Sequence, residues 1–328
     1  MTETLDGTGA VHAVPTSEPS LIQPPAEVAE RPSLTPHVAL KRIIMLVNPL
    51  SGSVGPKAAG EAEAILAEYD VDATVVALEG GQFDKQIDDA LTACPDVLLV
   101  LAGDGTAGTI ASRAGPDGPL IAPLPGGTMN MLPKALYGTG DWKVALRRTL
   151  EEGAPQPVSG GKVDGQAFYC AAILGAPALW APAREAVRTG KLKKAWNHAR
   201  VAMRRAFSGR IRYSLDGSAV RRAEAMVFIS PMISRAVDDA AGLEAAAMNT
   251  AGASEAFRLA AHALFNDWRH DPAVTTRATR RATVRARSRI PVVIDGEPSL
   301  LGHEARITFV PKAFRALAPL PPAAGDSV

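Results

Sequence analysis

The sequence predicts an α/β domain followed by an antiparallel β domain, and three observations predict it. Apolar runs alternate with amphipathic segments from residue 41 to residue 153. Three of those runs end in loops rich in Gly, Ser, Thr and Asn. Beyond residue 156 the pattern changes to short strands around turns such as Asp164-Gly165 and Asp216-Gly217. Strands alternating with helices imply parallel pairing through right-handed crossovers, which collects the loops after the strands on one edge of the sheet.

Taken in order, residues 1–38 carry Pro15, Pro19, Pro24, Pro25, Pro32 and Pro36 among polar residues and read as a disordered tail. Lys41–Val47 is a continuous apolar run of the kind buried on both faces of a parallel sheet. Pro56 suits the first turn of a helix that runs to about Tyr69. Val71–Leu78 is the second strand, Gln82–Ala93 the second helix, Asp96–Ala102 the third strand, Thr106–Ala114 the third helix and Pro119–Leu124 the fourth strand. Asp141 caps a helix that ends near Gly153. Strands of the second domain are expected at Val158–Asp164, Gln166–Leu174, Ile211–Leu215, Glu224–Ser230, Thr283–Arg287, Pro291–Ile294 and Ala305–Val310. Two helical inserts interrupt them. Gly190–Ser208 sets Leu192, Trp196, Ala199, Met203 and Phe207 against Lys193, Lys194, His198, Arg200, Arg204 and Arg205, a basic amphipathic helix that is the candidate surface for docking on anionic lipid or, alternatively, packs on the domain with its charges solvated, while Glu255–His270 reads as ordinary packing. The expected divisions are therefore a tail at 1–38, an α/β domain at 39–155, a β domain at 156–319 and a short tail at 320–328.

Composition narrows the function classes. Lys plus Arg number 35 and Asp plus Glu 34, a net charge of +1, so nothing global points to nucleic acid. Two cysteines, Cys94 and Cys170, make no disulfide framework and fit a reducing compartment. No apolar run reaches the roughly 18 residues needed to span a bilayer, and the start lacks the order of a signal peptide. The expectation is a cytoplasmic chain, peripheral on the inner membrane face at most.

The chemistry is concentrated in three loops. Val97–Ala102 runs directly into Gly103-Asp104-Gly105-Thr106 and then a helix. Glycines without Cβ let backbone N–H groups approach an anion, and the helix N-terminus favours negative charge, so this reads as a phosphate loop. Asp104 among those amides repels a phosphate unless it holds Mg²⁺ or takes a proton from a nucleophile. Gly103, Gly105 and Gly108 also satisfy G-x-G-x-x-G, but Leu124 and Pro125 stand where a dinucleotide site needs an acid, which argues against an oxidoreductase. Asn48–Ser53 and Gly126–Asn130 supply the other two loops. Further on, Ile290–Ile294 ends in Asp295-Gly296-Glu297, two carboxylates able to serve as a general base or, alternatively, a plain Asp-Gly turn.

Asn48-Pro-x-Ser51-Gly52, Ala102-Gly103-Asp104-Gly105-Thr106, Gly127-Thr128-x-Asn130 and Asp295-Gly296-Glu297, in this order, resemble the catalytic domain shared by diacylglycerol kinases, sphingosine and ceramide kinases and bacterial lipid kinases, with NAD kinases more distant. The resemblance covers about Arg42 to Pro319. It implies a Rossmann-like α/β nucleotide-binding domain, a β-sandwich lipid-substrate domain and ATP with Mg²⁺ between them. It further implies that Asn48, Ser51, Gly52, Gly103, Asp104, Gly105, Thr106, Gly127, Thr128 and Asn130 bind the nucleotide. Asp104, Asp295 and Glu297 become the catalytic candidates, and the family's structural Mg²⁺ site maps onto Asp239. Ala102, Gly126 and Pro133 depart from the family's Gly, Leu and Ala. No G-x-x-x-x-G-K-[ST] motif is present, so the phosphate-loop lysine of that class is missing.

The implied activity is γ-phosphoryl transfer from ATP to a diacylglycerol-like or sphingoid lipid, within lipid metabolism and phospholipid biosynthesis. A membrane surface is the implied partner, nucleic acid is not, and oligomeric state is open. The rival readings are a kinase of a soluble substrate such as NAD and a catalytically silent nucleotide- or lipid-binding protein.

Overall fold

The computed structural model describes residues 32–175, 211–234, 236–237, 241–249, 272 and 274–320. The basic stretch 190–208, the stretch 255–270 and Asp239 lie outside the described residues.

The first part is an α/β layer. Strands β1 (Arg42–Val47), β2 (Asp72–Ala77), β3 (Val97–Ala102) and β4 (Leu120–Pro125) pair in parallel in the order β2-β1-β3-β4. All six residues of β3 and of β4 are buried, as their unbroken apolar runs require of strands covered on both faces. Helices α1 (Ala58–Leu66), α2 (Phe83–Thr92), α3 (Asp104–Ala114), α4 (Met131–Tyr137) and α5 (Trp142–Glu152) complete the layer. The connection from β1 leads outward to β2, and the chain then returns on the other side of β1 as β3. The β1/β3 boundary is therefore the switch point, where ligands sit outside the strand ends in such sheets. Asp141 caps α5 as expected, its carboxylate accepting the Lys143 and Val144 N–H groups at 2.8 and 3.5 Å.

The second part is a β-sandwich. β5 (Gly153–Val163), β6 (Gln166–Phe168), β8 (Ile211–Leu215), β9 (Arg221–Ala223), β13 (Arg281–Arg285) and β16 (Glu304–Pro319) extend the first sheet to ten strands. β7 (Ala171–Gly175), β10 (Ala225–Ile229), β11 (Leu243–Met248), β12 (Val274–Thr279), β14 (Pro291–Ile294) and β15 (Glu297–Leu300) make a second sheet of six, ordered β12-β11-β10-β7-β14-β15. A short helix, α6 (Pro231–Ser234), follows β10. Between the sheets Val163, Tyr213, Val284 and Ile307 meet Leu174, Phe228, Leu243 and Val292 in one core.

β16 is the seam between the two parts. Its first stretch pairs antiparallel with β13, its last stretch meets β4 in parallel at Ala316–Ile121, and β5 follows it along both. The register shifts between Val310 and Phe314, where Lys312 takes a positive φ of 52°. The expected division at residues 155 and 156 thus falls inside β5, and the expected strand Ala305–Val310 continues to Pro319.

Two other expectations need correction. The tail does not run to residue 38: Thr35 is buried, its N–H and hydroxyl donating to the Leu150 and Gly153 carbonyls at the end of α5, at 2.7 Å each. Helix ends leave such carbonyls without partners, and a proline-rich composition conceals the one threonine that takes them. Helix α3 starts at Asp104 rather than Thr106, with Gly103 as its N-cap. β11 went unforeseen because Leu243-Glu-Ala-Ala-Ala-Met248 has no strand propensity of its own, and pairing to β10 and β12 overrides it; β9, β12 and β15 also lie outside the expected strands.

Phe314 is fully buried and meets Tyr169 edge-on with ring centroids 5.1 Å apart, at the point where the seam changes partners. Phe314→Ala is expected to lower stability by about 3–5 kcal/mol in urea unfolding. A loss below about 1 kcal/mol would show that this seam is not a packing anchor.

Candidate active site

The three loops meet at the switch point. Asn48 N–H donates to the Leu101 carbonyl at 2.9 Å, which ties the β1 loop to β3. Asn48 Oδ1 accepts from Leu50 N–H at 3.1 Å, and Ser51 Oγ accepts from Gly103 N–H at 3.2 Å. Ser53 reaches the third loop, its N–H to the Gly126 carbonyl at 3.2 Å and its hydroxyl to the Gly127 carbonyl at 3.1 Å. Thr128 lies over Gly52, where a Cβ would stand 3.0 Å from its Oγ1.

Glycine is required at the crossing itself. A Cβ on Gly127 would come within 2.8 Å of the Gly103 Cα, and one on Gly126 within 2.7 Å of the Ala102 nitrogen. Gly126 is therefore dictated by this backbone, although the family pattern has Leu there. Pro133 is equally local, standing in the first turn of α4 where no intrahelical donor is lost. Gly108 serves packing: the Tyr169 ring lies 3.6 Å from where its Cβ would be.

Asn130 closes the third loop on itself. In the left-handed conformation (φ 51°), it accepts from Gly127 N–H at 2.6 Å and donates to the Gly127 carbonyl at 3.0 Å. The N–H groups of Gly103 and Gly127 are thereby engaged within the protein. Those of Asp104, Gly105 and Thr106 fall in the first turn of α3, which has no intrahelical acceptors to offer them.

Asp104 is the pivot. One carboxylate oxygen accepts from Met131 N–H at 3.3 Å, so an acid of α3 faces the start of α4. The other, Oδ1, is buried and has no hydrogen-bond partner among the described residues. Burial holds this carboxyl above its ordinary range, against the opposing pull of the Met131, Leu132 and Asn130 N–H groups and the Lys134 charge. Lys134 was absent from the sequence reading; its signal is its place four residues after Asn130, one turn into the helix.

Asp295 and Glu297 approach from the sandwich. Asp295 opens a turn with φ of 44° and Gly296 follows at 93°, the geometry of a tight hairpin. The Asp295 carboxylate accepts from Tyr169 N–H at 2.7 Å and from Cys170 and Ala171 N–H at 2.9 Å each. Burial nevertheless raises its pKa, and the Asp104 charge adds to the rise. The exposed Glu297 projects to the glycine loop, its Oε1 3.8 Å from where a Gly105 Cβ would stand. The 103–106 and 295–297 segments thus face one crevice. Tyr169 and Cys170, between β6 and β7, sit at its floor and were read from sequence as part of one strand. Burial and Asp295 push the Tyr169 hydroxyl up to about 12, and burial with both aspartates pushes the Cys170 thiol well up.

The other two Asp-Gly turns repeat the device. Asp164 exchanges two hydrogen bonds with the Arg306 backbone, Asp216 with that of Arg281 and Asp295 with that of Ala171, in each case the aspartate N–H donating to the partner's carbonyl and its carboxylate accepting from the partner's N–H. Asp295 is thus a clamp on β7 as well as a neighbour of Asp104.

Among the described residues no group of three or more His, Cys, Asp or Glu forms a metal cage. A buried carboxylate with one unpartnered oxygen fits Mg²⁺, which is commonly held by one or two carboxylates and substrate phosphates.

A parallel sheet with glycine-lined loops at its switch point, faced by a carboxylate-bearing hairpin from a sandwich, is the architecture these residues build. Residues 42–163 match the family model of the diacylglycerol kinase catalytic domain. A proposed diacylglycerol kinase from Bacillus anthracis superposes with a TM-score of 0.63 at 17% identity, covering 86% of this chain and 98% of that one. A second diacylglycerol kinase structure from Bacillus anthracis gives 0.60 at 14%, with the same coverages of 86% and 98%. An NAD kinase from Archaeoglobus fulgidus, solved with ATP, gives 0.46 at 13%, covering 84% and 92%. At these identities the Bacillus likenesses establish the fold. None of the curated proteins matches the chain.

Both aspartates are raised, so the folded state holds their protons more tightly than the unfolded chain from about pH 4 upward. Their contribution to stability is complete below that range and is lost as pH rises through the elevated folded values. Asp104→Asn is expected to flatten this decline and to leave the urea midpoint at pH 7 at or above wild type. A lower midpoint at pH 7 would show that the charge is compensated in the fold.

Proposed function

We propose that the protein is an ATP- and Mg²⁺-dependent lipid kinase that transfers the γ-phosphoryl group to the hydroxyl of a diacylglycerol-like or sphingoid lipid. The observation that carries this reading is the unpartnered, buried Asp104 Oδ1 at the loop junction, with Glu297 across the first turn of α3. The domain match over residues 42–163 supports the nucleotide and the lipid class.

Gly105 and Thr106 would offer their N–H groups to the phosphates, Asn48, Ser51, Gly52 and Thr128 would line the nucleotide side, and Gly103, Gly127 and Asn130 would keep the loops in register. Asp104 would hold Mg²⁺ together with the phosphates, and the ion when bound neutralises charge that builds on the transferring group. The lipid oxygen bonds to the γ-phosphorus as the bond to ADP breaks, and the hydroxyl proton passes to Glu297. Glu297 suits that task because it is exposed, whereas the Asp295 carboxylate already accepts three N–H bonds. Asp295 is a positioning residue that fixes the turn from which Glu297 projects. Asp239 remains a proposed site for a second, structural Mg²⁺. Placement in the cytoplasm, at the inner membrane face, is part of the same proposal; among the described residues no helix is long and apolar enough to cross a membrane.

Incubation with labelled ATP, Mg²⁺ and a panel of diacylglycerol, ceramide, sphingosine and NAD is expected to label a lipid. Asp104→Asn and Glu297→Gln are each expected to reduce the rate by about 10²–10³-fold with ATP affinity largely retained for Glu297→Gln. Label on NAD alone, or on nothing while ATP binds, would replace the proposal with one of its rivals.

A further inference from the structure

The strongest charge asymmetry among the described residues lies away from the crevice, on the outer face of the larger sheet. Residues opposite one another on neighbouring antiparallel strands share a face, and the register makes one row of Arg222, Arg212, Arg285 and Glu304 across β9, β8, β13 and β16. The next row is Ser214, Thr283 and Arg306, and the third is Arg281, Thr308 and Lys162, the last on β5. Their strand neighbours Tyr213, Ala282, Val284, Ala305 and Ile307 point inward and are buried, so the alternation assigns the cations to the outside.

Six cations thus share this face with one acid. Glu304 pairs with Arg285 at 2.9 Å and Arg306 at 3.5 Å, whereas Arg212, Arg222, Arg281 and Lys162 have no ion pair among the described residues. Asp164 and Asp216 flank the face at its turns, and their carboxylates are engaged by the Arg306, Arg280 and Arg281 N–H groups. The whole chain carries a net charge of only +1, so this is segregation and not general basicity. Like charges directly opposite on adjacent strands destabilise a sheet. Arg222, Arg212 and Arg285 stand side by side all the same, a repulsion that an anionic surface lying across them would offset.

We propose that this face docks the protein on an anionic lipid surface, its guanidinium groups seated among headgroup phosphates. Resting on the lipid-kinase reading, it would hold the protein at the membrane that carries its substrate. Five strands at about 4.8 Å spacing give a shallow array roughly 20 Å wide, suited to a plane of phosphates. Between the cations stand Ser214, Thr283 and Thr308, and no aromatic side chain faces outward among them to stack on bases, as single-stranded nucleic acid sites require. Val220, exposed beside β9, is the one large apolar side chain at the margin of the face among the described residues, so the docking is mainly electrostatic and salt-sensitive.

The test is co-sedimentation of the full chain with phosphatidylcholine vesicles containing 30% phosphatidylglycerol, roughly a physiological anionic fraction, against pure phosphatidylcholine. Binding is expected to the anionic vesicles only, to fade with added salt, and to fall about fivefold per arginine removed, hence roughly 25-fold for Arg212→Gln with Arg222→Gln. The urea midpoint and turnover on detergent-dispersed diacylglycerol are expected to stay at wild-type values, while KM on vesicles rises. Wild-type protein that ignores anionic vesicles, or vesicle binding that the double variant retains, overturns the docking surface even where a lipid is phosphorylated in detergent. Nucleic-acid binding lost in the variant, with no vesicle binding, overturns it as well. Docking without phosphorylation of any lipid would leave this face standing and remove the kinase reading.

Discussion

The path of β16 is the constraint on which the rest of the molecule depends. One strand pairs with β4 of the parallel layer and with β13 of the sandwich, while β5 follows it across both stretches. The two parts therefore cannot rotate freely against each other, and a hairpin from the six-stranded sheet arrives at a fixed place over α3. An active crevice between two independently hinged bodies would have to recover that geometry at each encounter. Here the geometry is set by backbone hydrogen bonds and by the packing of Phe314 on Tyr169, so the carboxylates are preorganised by the same contacts that hold the core together.

Legibility followed the physics of each signal. β1, β3 and β4 were readable because a strand buried on both faces must be apolar throughout, and the glycine loops because only glycine tolerates a neighbouring Cα at under 3 Å. β11 was not, since three consecutive alanines carry no strand signal and the pairing partners are distant in sequence. The three Asp-Gly turns looked alike and are alike in backbone; what separates Asp295 is the company of Asp104, Tyr169 and Cys170, which arrive from other elements. Asp104 was conspicuous as an acid among phosphate-binding amides. Its burial, its unpartnered oxygen and the nearby Lys134 belong to the folded state alone.

The site's loops are mostly occupied with one another. Gly103 N–H is taken by Ser51 and Gly127 N–H by Asn130, so the motif residues divide into those that build the cradle and those that face out of it. This explains how Gly126 and Pro133 differ from the family pattern without opening the site: each answers a local backbone demand, one a contact with Ala102, the other the first turn of α4. Departures of that kind alter the scaffold's own bookkeeping and leave the outward-facing donors of α3 in place.

The two raised aspartates show where stability has been given up. A carboxylate that accepts three N–H bonds would ordinarily be held low, yet burial outweighs that pull at Asp295, and Asp104 adds like charge beside it. Left alone, such a pair favours a protonated or expanded crevice. On the proposed function, a divalent cation with its phosphates would reverse the balance, meeting the unpartnered oxygen and screening one carboxylate from the other. Under that proposal fold and ligand are linked thermodynamically: the charge that weakens the crevice on its own would be the charge that binds, so affinity for the nucleotide complex and stability without it would move in opposite directions when Asp104 is changed.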